Sequence, residues 1–303
     1  MKRISSRNLI YKFSPNNIAV ERVSPGELVI FETVDALGGQ IKDESTTLDE
    51  IDWGKVNGST GPVYIEGAEP GDTLVVEILD IKTAERGVIV IVPEHGALGK
   101  RKMFDAGVKI VKIKDGFVCF NGIKVKVKPM IGTIGVAPAD EEIPCGSLGR
   151  HGGNMDVKEL GIGTKLYLPV FVEGALLAMG DLHAVQADGE LCVSAVEVSG
   201  EVLIRVGLIK GRQPPWPVLE TNDFFEILVC GDTLDEASEE ASDIAVSVLS
   251  KALGVGFREA YMLASLVVDL KINQVVDPKK GVRAAIPKDI VSSIEPFLLK
   301  EKH

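Results

Sequence analysis

Four histidines occur in the 303 residues, and the one inside GDLHAVQADGE, residues 180–190, stands among Asp181, Asp188 and Glu190 between glycines. Run as an extended chain, this stretch puts Asp181 and His183 on one side, and Asp188 and Glu190 together likewise, because strand side chains alternate with period two. An imidazole and a carboxylate on a common face, with further acids nearby, make a hard nitrogen and oxygen environment for a divalent cation. Upstream, Asn154 and Asp156 in GGNMD offer two more oxygens at the same i, i+2 spacing. The opposing reading keeps these residues structural: Asp188-Gly189 is a good turn pair, and Asn154 and Asp156 serve as turn caps. His95 in PEHGALG, directly after Glu94, and His151 in GRHGGNMD also lie in glycine-flanked loops near acids. His303, at the end of the chain, is set aside.

Positioning such loops is the work of strands. From Ile18 to Leu228, short β-branched runs alternate with Gly, Pro, Asn and Asp, as in ELVIF from Glu27, TLVVEI from Thr73 and VIVIV from Val88. SPGELVIFE, EPGDTLVVE and GIGTKLYLP each place a glycine turn before an apolar run. LCVSAVEVS and EVLIRVGLI, separated by Gly200, read as a hairpin with Ser194 and Glu197 at polar positions. After Cys230 the periodicity changes. GDTLDEASEEASDIAVSVLSKALG spaces Leu234, Ala237, Ala241, Ile244, Ala245, Val248 and Leu249 as one helical face behind a Thr or Asp cap. Further helices are predicted from about Phe257 to Leu270 and from about Lys288 to Leu299. The expected fold is therefore mainly β, a sandwich or barrel-like body over residues 1–225, with a helical C-terminal part over 226–303 packed on it.

With 33 basic against 44 acidic residues and a formal charge of −11, the chain has the wrong sign for nucleic acid or an anionic membrane surface. Four dispersed cysteines without a Cys-x-x-Cys pair, no signal peptide and no long apolar span point to a cytoplasmic protein. Neither a Gly-x-Gly-x-x-Gly after a strand nor a phosphate loop is present, so no nucleotide cofactor is expected.

The string HGGNMDVKELGIGTKLYLPVFVEGALLAMGDLHAVQADGELCVSAVEVSGEV, from His151, resembles the acetamidase/formamidase family, with its Gly-Gly-Asn-x-Asp and Gly-Asp-x-His-x-x-Gln-x-Asp-Gly-Glu signatures in order. GPVYIEGAEPGDTLVVEI near residue 61, KPMIGTIGVAP near 128 and EAYMLASLVVDLKINQVVDPKKGVR near 259 extend the likeness over nearly the whole chain. Ala187 departs from the glycine found there in many members. The resemblance implies a largely β fold, a small amide as substrate, hydrolysis of formamide or acetamide to ammonia and a short acid, and a homodimer.

Such a reaction must polarise a poor electrophile, deprotonate water and protonate the departing nitrogen. A covalent nucleophile would need a Ser or Cys centre. No Gly-x-Ser-x-Gly elbow occurs, and Cys145, near Arg150 and His151, reads either as an activated thiol or, more simply, as a small buried residue. A bound metal supplies the other route, lowering the pKa of water towards about 7. Asp156, Asp181 and His183 are then the expected ligands, with Asn154 or His95 completing the shell. Zinc is the first expectation and calcium the alternative. Glu190 is the candidate general base with Glu94 in reserve, although a solvated acid at a strand start is the plain reading of Glu190. Gln186 is a candidate donor to the carbonyl oxygen, against a plain loop residue. Asp35, before a Gly-Gly turn and in a segment that matches the family, is a second substrate contact, against a turn residue. The rival from another class is a β-sandwich binding or assembly protein whose acids hold a structural calcium.

Overall fold

The structure, a computed structural model, describes residues 1–300; His303 lies outside them. The β-branched runs form two large sheets. Among the described residues, the first sheet has nine strands in the order Lys2–Ile4, Leu28–Thr33, Gly200–Ile209, Thr73–Thr83, Lys165–Pro169, Val218–Glu220, Phe224–Gly231, Lys280–Pro287, Asp269–Gln274. All its neighbours are antiparallel except Lys2–Ile4, which runs parallel to Leu28–Thr33. The second sheet is built around Leu177–His183, which pairs with Met130–Gly135, Glu197–Val198 and Ser59–Ile65. Beyond Glu197–Val198 it continues through Arg86–Ile91 and Gly107–Lys114 to the Phe117–Phe120 and Ile123–Lys126 hairpin.

The strands glycine-led in the sequence, Leu28–Thr33, Thr73–Thr83 and Lys165–Pro169, all join the first sheet. Its Val29, Phe31, Val76, Ile78 and Ile204 meet Val63, Ile131, Leu177, Met179 and Leu182 of the second in one buried cluster. Each such side chain contributes roughly 1.5–3 kcal/mol relative to exposure. Every residue of Leu177–His183 is buried, so Asp181 and His183, carried on this central strand, are buried with it.

The Leu234–Leu253 helix forms as its pattern predicts. Thr233 accepts from the Glu236 N–H while the Glu236 side chain returns to the Thr233 backbone, Asp235 and Glu236 oppose the helix dipole, and Gly254 closes it in the left-handed region. Its face of Ala237, Ala241, Ala245, Val248 and Leu249 covers Phe225, Ile227, Val229, Val282 and Ala284 on the outer side of the first sheet. Among the described residues, no helix is long and apolar enough to cross a membrane.

Three expectations change. The helix begun at Phe257 stops at Val267, and Asp269–Gln274 instead becomes an edge strand on Lys280–Pro287. The helix expected from Lys288 to Leu299 is absent: only a turn at Glu295–Phe297 forms, because Pro296 lacks an N–H and its ring would clash with a helical carbonyl four residues back. The hairpin across Gly200 is also absent. Glu197–Val198 belongs to the second sheet and Gly200–Ile209 to the first. Gly200 permits a close crossing rather than a turn, since a Cβ there would lie 2.3 Å from the Lys82 carbonyl oxygen. The region 226–303 thus adds strands as well as helices, and the expected division at residue 225 falls inside the Phe224–Gly231 strand.

A buried ion network ties the first sheet to the loop that carries the candidate site. Arg283, fully buried, holds Asp188 and Glu159 at 2.8 Å each and Glu226 at 3.3 Å, and donates to Asn273 Oδ1 at 2.8 Å. Arg283→Leu removes the one buried cation these acids share, leaving Glu226 with Lys271 and Asp188 and Glu159 with Lys158, and is expected to lower unfolding stability by about 3–5 kcal/mol. A urea denaturation midpoint unchanged from the parent protein would contradict this.

Candidate active site

Neighbouring strands and two loops bring four acids to one imidazole and a fifth to their edge. His183 Nε2 lies 3.2 Å from Asp181 Oδ1 and 3.1 Å from Glu197 Oε2, while Nδ1 lies 4.0 Å from Asp156 Oδ1. Asp156, His183 and Glu190 form one group of donor atoms within 4.8 Å of each other, and Asp181, His183 and Glu197 form another. All five residues are buried. Asp277 closes the group as acceptor of the Asn154 amide at 3.0 Å. These residues could hold a metal ion through carboxylate oxygen and imidazole nitrogen.

The local backbone differs from the extended chain that the alternation argument assumed. Asp156, Asp181 and Glu190 all have left-handed backbone conformations, with φ of 49°, 54° and 43°. Three non-glycine residues in that region at one site indicate a backbone held by its surroundings. Asp181 still meets His183, within a register that runs unbroken: Ile131 pairs with Leu182 and Thr133 with Gly180. Gly132 stands opposite, and a Cβ on it would come within 2.7 Å of Asp156 Oδ1 and 2.8 Å of Asp181 Oδ2. Only a residue without a side chain lets the two carboxylates approach there. Asp188 and Glu190 separate rather than share a side. Gly189, at φ 95°, breaks the alternation, so Asp188 pairs with Lys158 and Arg283 while Glu190 turns to the acid cluster.

Hydrogen bonds fix the members. Gln186 donates to the Asp156 carbonyl oxygen at 2.7 Å and presents Oε1 to His183 Nδ1 at 2.8 Å. Asn154 donates to Asp156 at 2.7 Å and accepts from the Thr133 hydroxyl. Asn57 and Thr133 reach Asp181 Oδ2 at 3.5 and 3.3 Å. Three buried carboxylate oxygens, Asp156 Oδ1, Glu190 Oε2 and Glu197 Oε2, have no hydrogen-bond partner. The Glu197 oxygen is close to His183 but lacks hydrogen-bond geometry.

Burial dominates the electrostatics. It pushes Asp156 and Glu190 well above the carboxylate range, with repulsion between the acids adding to it, and raises Glu197 and Asp277 to about 7. Burial opposes the charge on His183 as well, yet Glu197 and Asp181 hold it well above the ordinary imidazole range. Asp181 alone is lowered, because His183 outweighs its burial.

The cluster opens on a cavity of about 230 Å3 lined both by Asn154, Asp181, Glu190, Glu197 and Asp277 and by Leu37, Val56, Val90, Val92 and Val193. A larger cavity of about 670 Å3 lies across the Arg86–Ile91 strand, where Ile89 and Ile91 face it while Val90 faces the acids. Its lining is mostly apolar, with Lys109, Gln186, Asp188, Glu190 and Ser194 also bordering it, whereas the smaller cavity gathers Asp181, Glu190, Glu197 and Asp277 together and is the one equipped for chemistry.

Of the residues singled out in the sequence, the structure brings together Asp156, Asp181, His183, Glu190, Gln186 and Asn154. It does not bring His95 and Glu94 to the cluster: both are exposed on a separate loop, and His95 Nδ1 meets the Pro93 carbonyl. Asp35 is half-buried and accepts from the Leu37 and Gly39 N–H groups, so it shapes the turn that supplies Leu37 to the cavity. Cys145 is buried against Phe13 and Ala178, and burial pushes its thiol up to about 12, which leaves no thiolate at neutral pH. Glu197 and Asp277 were missed. Their signals were slight: one acid in the apolar run SAVEV and one between Val276 and Pro278.

A family model described as the Acetamidase/Formamidase family matches residues 3–144 and 143–293. A formamidase of Methylophilus methylotrophus is 26% identical over 360 residues, covering 92% of this chain and 88% of that protein. A relative from Schizosaccharomyces pombe is 29% identical over 264 residues, and there the match spans 67% of this chain and 64% of the relative's length, just under two thirds. The crystal structure of an acetamidase from Bacillus halodurans has a TM-score of 0.93 and 40% identity, covering 96% of this chain and 98% of that one.

Proposed function

The chain belongs to the acetamidase/formamidase family of linear-amide hydrolases, and on that premise we propose that it releases ammonia and a short carboxylic acid from formamide- or acetamide-like substrates at the His183 cluster, with a divalent cation as cofactor. One observation supports the cation above all: four buried acids surround a single imidazole, with half-buried Asp277 beside them, and three of the buried oxygens lack a hydrogen-bond partner. Ionising these buried acids together without a compensating cation costs several kcal/mol for each ion. The donor set fits a cation, and because each group includes the His183 nitrogen, it favours a catalytic zinc-like site over an all-oxygen calcium loop in a binding protein.

Asp181, His183 through Nε2, and Glu197 are the residues we assign to hold it, with Asp156 and Glu190 forming the neighbouring group. Such an ion, when bound, acidifies water and polarises a carbonyl. Gln186 engages His183 Nδ1 and so keeps Nε2 turned towards the acids. Asn154, committed to Thr133, Asp156 and Asp277, orients carboxylates rather than acting as a ligand. Glu190 Oε2, unpartnered and with its proton affinity raised by burial, accepts a proton from the attacking water and delivers it to the leaving nitrogen. The homodimer belongs to the same reading, with Phe257, Tyr261, Met262 and Leu266 forming an exposed apolar helix face. So does a cytoplasmic setting.

The test is ammonia release from formamide and acetamide by purified protein, before and after chelation. The reading expects turnover that a chelator abolishes and a divalent cation restores. Absence of ammonia from either amide would refute the activity, and turnover indifferent to chelation would refute the cofactor.

A further inference from the structure

The lining of the small cavity is of two kinds. Acids make one, and the other is an aliphatic wall of Leu37, Val56, Val90, Val92 and Val193, with Trp53, Asn57 and Ser194 also bordering the space. A primary amide has the same division, with a polar head and an apolar acyl tail, so the tail falls against the aliphatic wall once the head meets the acids. At about 230 Å3 the space is below the range of about 300–1,000 Å3 typical of sites enclosing larger organic ligands.

Val193 differs from the rest of that wall. Its backbone lies at φ 88°, a region that β-branched residues scarcely adopt. Its N–H donates to the Glu190 carbonyl at 3.4 Å, so one tight turn fixes it relative to the candidate base. Its side chain packs against the cluster of Leu37, Ile41, Ile51, Val88 and Val90, while its neighbours Leu191 and Cys192 line the large cavity on the opposite face. The loop that supplies Glu190 thus also places an isopropyl group in the acyl space.

We infer that Val193 is the specificity-determining residue that limits acyl-chain length, restricting the site to amides of the shortest acids. The inference rests on the amide-hydrolase reading above. Glycine tolerates the observed φ, so Val193→Gly enlarges the acyl space without disturbing the turn.

The experiment measures kcat/KM for formamide, acetamide, propionamide, butyramide and valeramide with the parent protein, Val193→Gly, Val193→Ala and Leu191→Ala. A single methylene accepted or refused by an apolar pocket is worth roughly 10–200-fold. Val193→Gly is expected to raise the butyramide-to-formamide ratio about tenfold or more. Val193→Ala should move it in the same direction by less, and Leu191→Ala, on the other face of the loop, should leave it within about twofold. A ratio unmoved in both Val193 variants, or moved as much by Leu191→Ala, overturns the inference while leaving the hydrolase reading intact. If the parent protein hydrolyses no amide, the hydrolase reading fails instead. The same amide series, read as thermal stabilisation on binding, then decides the role of Val193 by the same criteria.

Discussion

His183→Ala is expected to reduce kcat/KM for formamide by about 1,000-fold or more and to remove the divalent cation from the purified protein. His183 is the member common to both donor groups, and its Nε2 faces Asp181 and Glu197 at 3.2 and 3.1 Å. Without it each group retains only carboxylates, which repel one another in a buried space. The cation would lose its nitrogen donor, and the acids would be driven towards their protonated forms, unable to act as ligands. Steady-state kinetics together with metal content measure both consequences. Retention of parental turnover by this variant would show that the cluster is structural.

Glu190→Gln should lower kcat by about 100- to 10,000-fold, the range expected when a positioned proton acceptor is removed. The substitution preserves shape and hydrogen-bonding reach, so the fold, the cation and KM should change little. A loss confined to kcat identifies an interaction made in the transition state rather than in substrate binding. The geometry supports this role: Glu190 belongs to the Asp156 and His183 donor group, lines the cavity and has a buried oxygen without a partner. Undiminished kcat in Glu190→Gln would remove it as the base.

The fold was legible where one local signal decided the outcome. The Thr233 and Glu236 capping pair, the alanine face and Gly254 define the Leu234–Leu253 helix without reference to the rest of the chain. Pro296 was an equally local signal against a helix near the C-terminus, and the apolar spacing around it obscured that signal. The gap at Gly200 depended on distant partners: whether it is a turn or a crossing is decided by Lys82 and by the sheets on either side.

The site was legible in the same uneven way. Asp181 and His183, two residues apart, were readable as neighbours, although a left-handed Asp181 and not simple alternation brings them together. Glu190 and Asp156 depend on glycine-assisted turns and a close approach at Gly132. Glu197 arrives by pairing with His183 across strands, and Asp277 by a contact to Asn154 over 123 residues of separation. No local pattern encodes either. His95 shared the glycine-flanked context of His183 but lies on an exposed loop outside any central strand. Burial of the carrying strand distinguished the two.

The most direct test of the buried acids as a cation site is elemental analysis of the purified protein, with formamide turnover measured on the same sample. The account predicts a divalent ion at near-stoichiometric level in the active protein, with activity and ion content falling together as the ion is withdrawn. Full turnover by protein containing negligible metal would contradict it.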